Sequence, residues 1–128
     1  MKIIFVGIHN KPNKEPLDIT TRSGKVITRV CNKLPKGVRV LRTNLADLEF
    51  IPERQELINQ RVEWLFRACP DPEDIIVLLG MWVKDNFPYD DVHSTIIKAN
   101  HPAAHRNKDK QQQYETDLAK AIKEALSK

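Results

Sequence analysis

Asp74-Ile75-Ile76-Val77-Leu78-Leu79-Gly80 (residues 74–80) is the stretch that decides the fold. Its five inner residues are apolar at consecutive positions, so neither face is left to meet water. A strand of that kind is covered on both sides, the condition of a central strand in a parallel sheet packed between helices. The run CPDPED (69–74) punctuates the chain before it, and Gly80 ends it.

Working outward, three further segments read as strands. Lys2 to Val6 (KIIFV) is β-branched and aromatic, Val38 to Leu41 is a short apolar run, and Thr95 to Ala99 is β-branched. Helical patterns lie between them. From Ser23, a possible cap, Val26, Ile27, Val30, Cys31 and Leu34 recur at helical spacing until Pro35 stops them. Pro52 opens a second helix at a position where its missing N–H costs nothing, with Leu57, Ile58, Val62, Leu65 and Phe66 as the core stripe and Trp64 off it. Met81 to Phe87 reads as a short helix. Lys110 to Leu126 reads as a final one, with Tyr114, Leu118, Ala121, Ile122 and Ala125 on one face. Strand and helix alternate, which predicts a single three-layer α/β/α domain over residues 1–128, built on a four-stranded parallel sheet with right-handed crossovers.

Composition agrees with one soluble domain: 128 residues, 41% hydrophobic and 30% charged. The formal net charge of +4 leans basic and is compatible with a polyanionic partner. Cys31 and Cys69 each fall on the apolar side of a predicted helix, so buried thiols of a reduced, cytoplasmic protein are expected rather than a disulfide. The start of the chain has no leader pattern, and no apolar stretch reaches membrane-spanning length. The chain has no internal repeats, and RNKDKQQQ (106–113) reads as a solvated loop and helix start.

The chemistry gathers where the strands end. Gly7-Ile8-His9-Asn10, Arg42-Thr43-Asn44, Gly80 and Asn100-His101-Pro102-Ala103-Ala104 each follow a strand candidate. In open parallel sheets ligands bind outside the carboxyl ends of the strands, so the four clusters point to one crevice. Each also has a local reading: Gly7 as a turn residue, Asn44 as a cap, and His101-Pro102 as a helix start. Gly-x-Gly-x-x-Gly and the phosphate-loop lysine motif are both absent, which removes the defining parts of dinucleotide and P-loop sites. His101 and His105 could present two ligands on one helical turn, with His9, His93, Asp90 or Asp91 adding more, but nothing else in the sequence supports a metal site and none is expected.

The ordered set GIHNKP (7–12), TRSGKVITRV (21–30), LRTN (41–44), IIVLLG (75–80) and NHPAAHRN (100–107) resembles the uracil-DNA glycosylase superfamily over nearly the whole chain. Its HPAA wording is similar to the iron–sulfur branch, whose cluster cysteines this chain lacks. The resemblance implies a glycosylase-like fold and hydrolysis of the N-glycosidic bond of a flipped uracil or other modified base in DNA, single-stranded or damaged, with no cofactor. It implies that His101 stabilises the charge developing on the departing base. It also implies that the Asn44 amide reads the base edge, and that Gly7 belongs to the base-binding motif with His9 or Asn10 holding the attacking water.

Two departures stand out. Lys11-Pro12 occupies the place of the family's Pro-Gly, and ahead of TRSG, where an aromatic stacks on the base, the large apolar candidates are Leu17 and Ile19. Arg22, Ser23, Lys98, His105, Arg106 and Lys108 are the expected contacts to the DNA backbone, provided the sheet brings the first and last motifs side by side. Two other readings stay open: a non-catalytic nucleic-acid or nucleobase binder using the same crevice, and a small-molecule nucleoside or nucleotide enzyme.

Overall fold

The computed structural model describes residues 1–7, 17–46 and 53–128. Among these, β1 (Lys2–Gly7), β2 (Arg39–Asn44), β3 (Ile75–Leu79) and β4 (Thr95–Ala99) form one sheet in the order β2-β1-β3-β4, with every pair parallel. The helices are α1 (Arg22–Asn32), α2 (Arg54–Ala68), α3 (Met81–Asn86) and α4 (Lys108–Leu126), with a 3-10 turn at Tyr89–Asp91. The chain therefore has the α/β architecture expected from the alternation.

The two central strands carry the core on both faces. Ile3, Phe5, Ile75, Val77 and Leu79 pack with Ile27 and Val30 of α1 and with Leu118, Ala119 and Ile122 of α4. Ile4, Val6, Ile76 and Leu78 turn to the other face, against Trp64 and Ala68 of α2, Val83 of α3, and Phe87. One-residue alternation thus feeds two separate apolar layers, and a register slip would bury the wrong set in each.

Several local expectations are corrected. β1 and β2 run further than their apolar cores, so Gly7, Thr43 and Asn44 lie within paired strand rather than after it. The cap of α1 is Thr21, whose side chain accepts from the Gly24 N–H, and not Ser23. No helix starts at His101-Pro102: a turn closes from the Ala104 N–H to the His101 carbonyl, and α4 begins after Asn107, whose side chain caps it. His101 and His105 therefore do not share a helical turn.

The core face of α2 is the largest correction. Gln60, Trp64 and Ala68 are buried, while Ile58, Val62 and Phe66 are exposed and Leu57 and Leu65 are half-buried. Trp64 is the largest fully buried side chain among the described residues, and its indole N–H finds a buried acceptor in Thr43 Oγ1 at 3.0 Å. That hydroxyl donates in turn to the Phe5 carbonyl at 3.0 Å. Cys69 is exposed at the left-handed end of α2, and Cys31 is half-buried. Pro52 lies outside the described residues. No helix among the described residues is long and apolar enough to cross a membrane.

Candidate functional site

Because all four strands run the same way, their carboxyl ends share one edge of the sheet. Asn44 closes β2 at one side, Gly7 closes β1 beside it, Gly80 follows β3, and His101 follows β4 at the far side. The two outer strands are separated by three strand spacings of about 4.8 Å, or roughly 14 Å, so the site is a row rather than a point.

At the β2 side, Gly7 and Asn44 are register partners. A Cβ on Gly7 would stand 2.8 Å from Asn44 Oδ1 and 3.5 Å from Leu17 Cδ2, so the missing side chain is what lets the amide lie over β1. The Asn44 carbonyl accepts from Arg67 Nη2 at 3.1 Å, and Leu45 N–H donates to the Gly7 carbonyl at 2.9 Å, which fixes the strand end from both sides. Of the two apolar residues ahead of α1, it is Leu17 that reaches Gly7; Ile19 is 60% exposed. Leu17 holds a left-handed backbone (φ 51°), of the kind that clusters at functional sites, and its carbonyl is tied to Arg42 Nη1 at 2.8 Å. Arg42 also donates to Thr28 Oγ1 at 2.9 Å, stapling the approach to α1 onto β2. His9 and Asn10 lie outside the described residues.

At the β4 side, His101 rests on Gly80. The backbone of Gly80 is left-handed (φ 95°), its N–H donates to the Ala99 carbonyl at 3.0 Å, and a Cβ there would meet His101 Cβ at 3.5 Å. The Ala103 N–H donates to His101 Nδ1 at 3.1 Å. An Nδ1 that accepts leaves the proton of the neutral ring on Nε2. Burial lowers the His101 pKa below the ordinary imidazole value, which favours that neutral ring. The histidine is thus set as a fixed, uncharged N–H donor.

The start of α1 and the loop after β4 come together on the α1/α4 side, while β3 stands between β1 and β4 and residues 8–12 of the first motif lie outside the described residues. Arg22 Nη2 donates to the His105 carbonyl at 3.0 Å, linking the start of α1 to the loop after β4. The His105 ring lies against Tyr114, with centroids 5.6 Å apart, and the Tyr114 hydroxyl donates to the Asn100 carbonyl at 2.6 Å. Ser23 stands half-buried in the first turn of α1, and Arg106 and Lys108 are exposed just beyond. Lys98 lines a cavity with Asn100, His105 and Tyr114 at this edge, but its ammonium sits 5.1 Å from the Tyr89 ring, on the α3 side of the sheet. Among the described residues no three histidine, cysteine or acidic side chains are grouped to hold a metal ion.

Sequence reasoning passed over Arg67 and named Arg42 only as a member of the cluster after the second strand, without its bonds to Leu17 and Thr28. Each is an arginine in or beside a strand–helix unit, indistinguishable in sequence from a solvated one. Gly80 was legible as a strand end but not as the floor beneath His101. No protein-family model and no curated protein sequence matches this chain.

Proposed function

We propose that the protein is a base-excising N-glycosylase acting on uracil or another modified base in DNA. The single observation that carries the reading is the His101 ring, half-buried at the carboxyl edge with Nδ1 satisfied by the Ala103 N–H. Loss of a base as an anion requires a donor where charge appears, and a preorganised N–H costs no reorganisation at that moment. A neutral imidazole held at Nδ1 by the Ala103 N–H enters the reaction already oriented.

The remaining roles follow from the resemblance. The Asn44 amide, which offers both a donor and an acceptor, reads the edge of the base lying over Gly7. Leu17 supplies an apolar contact where relatives stack an aromatic. His9 or Asn10 holds the water that attacks the sugar. A non-catalytic nucleobase binder is the second reading, and it is favoured by the aliphatic Leu17 against Gly7, since base stacking on an aromatic is worth about 1–3 kcal/mol.

Incubation with a uracil-containing single-stranded oligonucleotide, followed by alkaline cleavage at abasic sites, separates the two. Strand scission supports the glycosylase. Binding without scission supports the second reading.

A further inference from the structure

Between α1 and α4 lies a groove of about 580 Å³ whose lining includes Arg29, Lys33, Lys108, Gln111, Gln112 and Glu115. Three cations face one carboxylate there, and that carboxylate is committed: Glu115 is only 3% exposed and accepts from Arg29 Nε. The buried carboxylate orients the half-exposed guanidinium and offsets its charge, so Lys33 and Lys108 carry the net positive charge of the groove. Gln111 Oε1 takes a second, longer contact from Arg29 Nη2 at 3.4 Å, and the Arg29 side chain remains 47% exposed.

These cations belong to a longer row. Arg22, Lys25, Arg29 and Lys33 recur at helical spacing along one side of α1, a helix with no acidic residue. At 1.5 Å per residue the row spans about 16 Å, starting at the Arg22–His105 link beside the candidate site. A cationic row met by one carboxylate, Glu115 against Arg29, and joined to a groove with side-chain amides matches a flexible polyanion.

We infer that the α1–α4 groove is a track for the phosphodiester backbone of the nucleic-acid strand whose base occupies the carboxyl-edge site. Arg29 and Lys33 are phosphate contacts there, and Glu115 is the positioning residue for Arg29. The inference rests on the nucleic-acid reading of that site. It extends the footprint from the loop after β4 down the length of α1, and makes affinity depend on strand length.

Fluorescence anisotropy with two labelled single strands tests it, one of about 4 and one of about 16 nucleotides, the range one compact domain covers. Each contains one uracil near an end. Lys33 is exposed, so Lys33→Ala leaves the fold intact. It should weaken the long strand by about 5-fold near 0.1 M salt and lower its log–log salt slope by about 0.7, leaving the short strand unchanged. Lys33→Glu should enlarge both effects. Long-strand affinity and slope equal to wild type in both variants, with the wild type binding both strands, would overturn the track and leave the site reading standing. A wild type that binds neither strand would overturn both.

Discussion

Asn44 Oδ1 lies so close over Gly7 that a methyl group there would stand 2.8 Å from it, nearer than such carbons approach in folded chains. The two residues pair across β1 and β2, and the Asn44 backbone is held by Arg67 from behind, so the side chain is the part that must yield. Gly7→Ala is therefore expected to swing the amide off β1 and to cost about 1–3 kcal/mol of stability as an overpacked site. Thermal melts and oligonucleotide binding check it: a wild-type melting temperature with unchanged base preference would contradict the contact.

Asn44→Asp is expected to lower stability, because it places a carboxylate at a buried position, and to change what is read. A carboxylate accepts hydrogen bonds but cannot donate one to a carbonyl oxygen of the base. Sites built to pair with a polar group reject ligands that leave it unpaired, so uracil should lose its preference over hypoxanthine and undamaged bases. Single-turnover comparison of those substrates is the measurement.

Thr43→Val tests the bond that turns α2 around. The hydroxyl accepts from Trp64 Nε1 and donates to the Phe5 carbonyl, both inside the core. Valine fills the same space and leaves the indole N–H unpaired, at a cost of about 1–3 kcal/mol. Denaturant unfolding followed by tryptophan fluorescence should show the lower midpoint.

Asp74 sets an acid limit on stability. Its buried carboxyl is opposed by desolvation, but the Asp71 N–H at 2.8 Å and the Lys2 ammonium at 2.7 Å outweigh that and hold its pKa below the ordinary aspartate value. A carboxylate whose folded pKa is lowered stabilises the fold above its unfolded pKa near 4, and that stabilisation is lost as pH falls through the folded value. Asp74→Asn should be less stable than wild type at pH 7 and should lose less on acidification. Melts between pH 7 and about 3 read both effects.

Much of this was legible in the sequence, for physical reasons. Ile75 to Leu79 has no polar face, so it had to be central, and the polar residues after each strand had to share one edge once the strands were parallel. What escaped was the choice between two stripes on α2. Ile58, Val62 and Phe66 repeat at helical spacing as well as Gln60, Trp64 and Ala68 do, and what decides between them is distant in sequence: the packing of Trp64 on Phe87 and its bond to Thr43. The reach of Leu17 to Gly7 was equally hidden, because a left-handed leucine has no sequence signature. Lys98 belonged by sequence to the basic cluster near His101, yet alternation along β4 sends its ammonium to Tyr89.

The central claim is that His101 donates to a base leaving as an anion, and single-turnover release of uracil by wild type and His101→Ala measures it most directly. The expected result is base release by wild type and a loss of roughly 10²–10³ in rate for the variant, with oligonucleotide affinity little changed, because the bond strengthens only in the transition state. Uracil release by His101→Ala at the wild-type rate, or no release by a wild type that binds the strand, would contradict it.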